Sequence, residues 1–195
     1  LVVGGGWIGL EVASAAIQLG CQVTVVETLS QLCGRTLTPD IADWILALHR
    51  SHGVDVRLET SVERFEGDGR IDRAALSDGT SIEADLAVIG IGVVPNVEIA
   101  AEAGLEIDNG IVVDALGCTS DSDVFAAGDV TNHPNALLGR RIRLESWENA
   151  QNQAIATAKT MLDAGSAYGE IPWFWSDQYD VNIQLIGIPE GWTET

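Results

Sequence analysis

The chain has 195 residues, 46% of them apolar, and a net charge of −19 from 29 Asp and Glu against 10 Lys and Arg. That length suits one ordinary domain or two small ones, and the apolar content excludes a disordered chain. The acidity excludes nucleic acid and anionic membrane surfaces as partners, since both are gripped by clustered Lys and Arg.

Leu1–Val3 reads as the end of a strand, and Gly4-Gly5-Gly6-Trp7-Ile8-Gly9 as a loop opening a helix over Ile8–Leu19 that Gly20 stops. Cys21–Glu27 reads as a buried strand. Thr38-Pro39-Asp40 is a helix start, with Thr at the N-cap, Pro at the first position and an acid in the first turn. Ile41, Trp44, Ile45 and Leu48 then share one face, and Val54–Leu58 is the next strand. This β-α-β-α-β order implies right-handed crossovers and a parallel sheet. Two turn signals, Gly67-Asp68-Gly69 and Ser77-Asp78-Gly79, predict a small antiparallel meander returning to a buried strand over Leu86–Ile91. A short helix near Val97–Ala103, a strand over Ile111–Val113 and another ending on Gly128-Asp129 follow. Leu144–Ala164 reads as a long helix with Trp147, Ala150, Ala154, Ala158 and Met161 on one stripe, before an aromatic, strand-like unit from Pro172.

Residues 1–26 carry one charge, Glu11, but their five glycines make a poor membrane span. No basic, apolar, small-residue series predicts a signal peptide. The three cysteines, Cys21, Cys33 and Cys118, lack CxxC spacing, which predicts free thiols in a reducing, cytoplasmic compartment. His49, His52 and His133 show no metal-ligand spacing, so no metal site is expected.

Gly4, Gly6 and Gly9 fit G-x-G-x-x-G. The first glycine allows the tight turn, the second lets a pyrophosphate reach the backbone, and the third lets helix and strand pack closely. Alone the spacing is weak. Here a strand precedes it, a helix follows, and Glu27 closes the next strand, where a carboxylate accepts the ribose hydroxyls of NAD; no Arg follows directly to meet a 2′-phosphate.

The stretches "GGGWIGLEVA", "VTVVE", "LAVIGIGVVPN", "TSDSDVFAAGDV", "RLESWENAQNQA" and "PWFWSDQYD" together resemble NADH-dependent, FAD-containing ferredoxin reductases of the rubredoxin and putidaredoxin reductase type. The resemblance runs in order over nearly the whole chain. It implies an α/β fold with two dinucleotide-binding, Rossmann-like units, the second incomplete, and the start of an α+β interface domain. The corresponding divisions are residues 1–94 for NAD, 95–168 for the carboxy-terminal half of the FAD domain, and 169–195 for the start of the interface domain. The chain is therefore expected to be an internal fragment that by itself retains FAD poorly. The implied activity takes a hydride from NADH onto FAD and passes single electrons to a [2Fe–2S] ferredoxin or a rubredoxin. The alternatives are a nitrite-reductase-type or apoptosis-inducing-factor-like flavoprotein, or a non-catalytic nucleotide-binding fragment.

The resemblance also implies residue roles. Glu11 would position the nicotinamide; the residues alone leave a solvent-facing helix Glu open. Ile8, Arg35, Gly90 and Gly92 would join Gly4, Gly6, Gly9 and Glu27 around the nucleotide. Gly128 and Asp129 would meet the FAD ribityl chain, although an ordinary turn Asp fits the pattern too. Trp147 and Trp175 would lie near the flavin, or serve as packing, as is expected of Trp7, Trp44 and Trp192. Arg140, Arg141 and Arg143 are either a docking patch for an acidic partner or a loop paired with Glu145.

Overall fold

The computed structural model describes residues 1–188; Trp192 lies outside the described residues. The chain divides into two compact units. The first contains Leu1–Gly92 and Ser176–Ile183, and the second contains Val93–Trp175 and Gln184–Ile188.

The first unit begins with β1 (Val2–Val3), α1 (Trp7–Gln18), β2 (Thr24–Val26), α2 (Pro39–Ser51) and β3 (Asp55–Arg57). β4 (Val62–Glu66), β5 (Arg73–Leu76) and β6 (Ser81–Glu83) form the expected antiparallel meander, and β7 (Val88–Ile89) returns to the first sheet. That sheet is parallel with order β3-β2-β1-β7, and pairs Val2 with Val25 and Val88. Val2, Val25, Val56, Leu10, Ala13, Leu32 and Ile45 fill its core.

Three expectations need correction here. The strand over Cys21–Glu27 contracts to Thr24–Val26, because Cys21 and Gln22 are still completing the exposed turn after Gly20. The Leu86–Ile91 strand keeps only two paired residues and is not buried, with Leu86, Ile89 and Ile91 all exposed. The buried face of α2 is Ala42, Ile45 and His49, while Ile41 and Trp44 are exposed. A polar His replaces an apolar residue in that seam because both its ring nitrogens find partners. Thr38 does hold the N-cap of α2, but its hydroxyl bonds the Asp40 carboxylate and makes no bond to the backbone.

The second unit contains α3 (Glu98–Glu102), β8 (Ile111–Val112), β9 (Thr131–Asn135), β10 (Arg140–Ile142) and α4 (Trp147–Thr160). β9 lies between β8, parallel, and β10, antiparallel. The segment 123–129 is not a regular strand: it makes one bridge, Phe125 with Cys118. The strand falls after the turn, on Thr131–Asn135, where Gly128 at φ +85° reverses the backbone. α4 also inverts its expected face. Asn149, Gln153 and Thr157 are buried, whereas Trp147 and Met161 are exposed at 66% and 62%. Those polar side chains bond or pack against irregular backbone that has no ladder partner: Gln153 accepts from the Gly128 amide at 2.7 Å, and Thr157 packs on Gly117.

The last two strands, β11 (Trp173–Gln178) and β12 (Val181–Ile186), form a hairpin. Its tip, Ser176–Ile183, belongs to the first unit and its base to the second. Among the described residues no helix is long and apolar enough to cross a membrane.

Candidate functional site

In the first unit the glycine loop is fixed by three close approaches. The Gly4 amide donates to Val26 O at 2.8 Å, tying the loop to the end of β2. Gly4 has φ +105°, and a Cβ there would stand 2.3 Å from Gly90 O. A Cβ on Gly9 would stand 2.0 Å from Gly4 O. Gly4 and Gly9 are therefore required where β1, α1 and β7 converge, because any side chain on them would collide with backbone, whereas a Cβ on Gly90 would make only ordinary contact, 3.6 Å from the Gly9 amide nitrogen. Gly6 is different: a Cβ on it would meet nothing within 4 Å. Nothing inside the protein demands glycine at the mouth of α1, so the open space there suits a close-approaching ligand. The helix N-terminus offers that ligand unsatisfied amides, which favours an anion.

Glu27 follows β2 directly. Its Oε2 accepts the Gly5 amide at 2.7 Å, and its Oε1 accepts the Leu29 amide at 2.8 Å and the Thr28 hydroxyl at 3.1 Å. The carboxylate is clamped beside the glycine loop and retains lone pairs for further donors. Arg35 lies beside Gly92, with its guanidinium Nη2 3.4 Å from the position of a Cβ there. Ile8 is 63% exposed on the first turn of α1. Glu11, one turn further, accepts the Ser176 hydroxyl at 2.6 Å. The structure thus gathers Gly4, Gly6, Gly9, Glu27, Gly90 and Glu11 around one end of the parallel sheet. That end is the carboxyl edge of its strands, where open α/β sheets bind ligands.

In the second unit Gly128 and Asp129 form a built turn. Gln153 Oε1 accepts both the Gly128 amide, at 2.7 Å, and the Thr131 hydroxyl, at 2.9 Å. Burial and the neighbouring Glu145 raise the Asp129 pKa, while Arg143 and the Ser146 amide oppose them. Trp147 and Trp175 meet edge to face at 5.9 Å, and Trp173 stacks on Trp175 at 5.3 Å. Such a pair offers an apolar wall of aromatic rings.

The arginine cluster divides. Arg141 donates to Val113 O at 2.6 Å and to Asn132 Oδ1, so it ties β10 to its sheet. Arg143 pairs with Glu145 and donates to Asp129 O at 3.3 Å. Pairing with Glu145 was the plainer of the two sequence expectations. Sequence reasoning missed Gln153, Ser176, Gln178 and His49, whose partners are distant in sequence and carry no spacing signal. Trp7 packs as expected and donates from Nε1 to Thr36 Oγ1 at 3.1 Å, whereas Trp44 is 47% exposed. His133 is buried, and burial lowers its pKa.

Comparison with known proteins agrees with this geometry. The chain is 49% identical over 96% of its length to the ferredoxin–NAD(+) reductase component of an anthranilate 1,2-dioxygenase system from Burkholderia cepacia, covering 46% of that protein. It is 39% identical over 98% of its length to putidaredoxin reductase from Pseudomonas putida, again covering 46% of the relative. A solved ferredoxin reductase for the CYP199A2 system of Rhodopseudomonas palustris superposes with a TM-score of 0.95 at 38% identity, over 99% of this chain and 48% of that one. The covalent putidaredoxin reductase–putidaredoxin complex gives a TM-score of 0.96 at 39% identity, over 99% of this chain and 47% of that one. The chain thus spans about half the length of the curated relatives it matches. Residues 173–195 match the reductase C-terminal family, and residues 1–154 match the pyridine nucleotide-disulphide oxidoreductase family. With a parallel sheet, a glycine loop at its carboxyl edge and a family match over most of its length, the chain belongs to the pyridine nucleotide-disulphide oxidoreductase family.

Proposed function

We propose that this chain is part of an NADH-dependent flavoprotein reductase that delivers electrons to a [2Fe–2S] ferredoxin or a rubredoxin of an oxygenase or cytochrome P450 system. The observation that carries the reading is the Gly6–Glu27 pair: open space at a helix mouth, with a clamped carboxylate beside it. The names of the relatives support the reaction class. The residues fit both nucleotides by their chemistry. Gly4, Gly6 and Gly9 let a pyrophosphate approach α1, Glu27 accepts ribose hydroxyls, and Ile8, Arg35, Gly90 and Gly92 shape the rest of the NAD site. Gly128 and Asp129 would hold the FAD chain, and Trp147 and Trp175 would shield the flavin. FAD and NADH supply the hydride and electron chemistry when bound.

The protein's part is binding, orientation and exclusion of water. Glu11 orients the nicotinamide, and no side-chain proton transfer is required of it. In this reading residues 1–94 are the NAD domain, 95–168 a half of the FAD domain and 169–195 the start of an interface domain. The division of the chain after Gly92 supports the first boundary, and the second family match supports the last. Three free thiols suit the cytoplasm.

Nucleotide preference tests the reading. Glu27 would repel a 2′-phosphate while bonding the hydroxyls of NADH, so kcat/KM should favour NADH by about thirtyfold or more. Glu27→Gln keeps an acceptor for the Gly5 amide and removes the charge, so this preference should collapse. A wild-type preference for NADPH, or a Glu27→Gln variant with unchanged preference, removes Glu27 from the site.

A further inference from the structure

His49 is fully buried on α2, and the nucleotide site described above makes no use of it. Both its ring nitrogens are bonded. Nε2 is 2.8 Å from Gln178 Oε1, and Nδ1 is 2.9 Å from the Tyr179 hydroxyl. Gln178, itself fully buried, donates from Nε2 to Ser176 Oγ at 3.0 Å, and Ser176 Oγ donates to Glu11 Oε1 at 2.6 Å.

Valence fixes every direction. The Gln178 carbonyl oxygen can only accept, so His49 Nε2 carries the proton, Nδ1 is a lone pair, and the Tyr179 hydroxyl donates to it. Burial lowers the His49 pKa, the direction in which this wiring also points. All four bonds therefore run one way, from Tyr179 through His49, Gln178 and Ser176 to Glu11. Aligned hydrogen bonds in a low-dielectric interior polarise one another. The hairpin tip is held in register for this. Tyr179 sits at φ +57°, an unfavourable conformation for a bulky residue. Its amide donates to Ser14 Oγ on α1 at 2.6 Å, and its ring stacks on His52 at 3.7 Å with an 8° interplanar angle.

We propose that this directed chain orients the Glu11 carboxylate, with Ser176 as the positioning residue that touches it and Gln178, His49 and Tyr179 holding Ser176 in turn. The inference rests on the reading of Glu11 as the group that orients nicotinamide. Without Ser176 the carboxylate of an exposed helix residue samples several rotamers, and a misoriented ring reacts slowly even when bound.

The test compares Ser176→Ala, Glu11→Gln and their double variant in the reductase. It reads the rate of flavin reduction by NADH, the NADH dissociation constant and the imidazole nitrogen resonances of His49. Ser176→Ala should slow reduction about tenfold with little change in dissociation constant, and adding Glu11→Gln should cost nothing further. His49 should be protonated at Nε2, and that resonance should move in each single variant. Additive losses in the double variant, or a His49 protonated at Nδ1, overturn the proposal. If Glu11→Gln slows reduction and Ser176→Ala does not, the chain has no positioning role although Glu11 stays at the nicotinamide. If Glu11→Gln leaves reduction untouched while the His49 resonance still responds, the nicotinamide role of Glu11 fails and the hydrogen-bond chain stands. Tyr179→Phe removes only the far hydroxyl and carries the same comparison should Ser176→Ala not fold.

Discussion

At the scale of single residues, two buried imidazoles contribute to the acid response. His49 and His133 are both buried, and burial is the first cause of lowering in each pKa below the model-peptide value of 6.5. In the unfolded chain each takes a proton near that pH, whereas in the folded chain each resists it. The unfolded state therefore binds more protons between the lowered folded values and pH 6.5, so stability rises with pH across that window and is lost as pH falls through it. Denaturant midpoints measured from pH 7.5 down to 5 should decline from about 6.5 downward. Their decline should be shallower in His133→Phe, which has no proton to gain. A flat profile over that range would mean that both rings take up protons as readily in the folded protein as in the unfolded chain. Glu27 would serve two purposes in the proposed reading: its carboxylate clamps the Gly5 amide and retains lone pairs for ribose hydroxyls.

At the scale of elements, the glycine loop separates a glycine that the backbone packing requires from one that only the proposed nucleotide would require. A Cβ at Gly9 collides with Gly4 O, and one at Gly6 meets open space. Gly9→Ala should therefore destabilise the first unit by about 2–4 kcal/mol, because backbone must move. Gly6→Ala should leave the unfolding midpoint nearly unchanged and yet weaken NADH binding by tenfold or more. Thermal unfolding and nucleotide titration of both variants check this together. A Gly6→Ala variant that binds NADH normally would show that no pyrophosphate approaches that position. Helices α2 and α4 make a related point. Each buries a polar seam, His49 on one and Asn149, Gln153 and Thr157 on the other. Apolar periodicity missed both seams because their partners are Gln178, Tyr179, Tyr168 and the Gly128 turn, which lie far along the chain.

At the scale of the whole molecule, charge is the governing quantity. A net charge of −19 on 195 residues means mutual repulsion in the folded state. Added salt screens it over about 10 Å at 0.1 M, so unfolding temperature should rise between 10 and 300 mM NaCl before specific ion effects enter. A midpoint that falls with salt would mean that ion pairs such as Arg143–Glu145 and Arg64–Glu66 outweigh the repulsion. An acidic electron carrier would have to find its basic contacts on a surface with few of them. Arg141 and Arg143 are already engaged in internal bonds, which leaves them less to offer such a partner.

The sequence by itself determined the parallel α/β arrangement of the first unit, the meander, the glycine loop and Glu27. Each of these rests on local chemistry: strand-loop-helix order, turn residues at fixed offsets, and the few residues that tolerate φ above zero or a backbone collision. Only the tertiary structure decided which face of α2 and α4 is buried, that 123–129 is a turn approach rather than a strand, and that the hairpin tip reaches Glu11. Those outcomes depend on pairing buried polar groups between separate elements: across more than a hundred residues from Ser176 to Glu11 and from Gln178 to His49, and across 25 residues from Gly128 to Gln153. Periodicity along a segment reports how apolar its faces are, and carries no information about which distant donor will satisfy a buried acceptor.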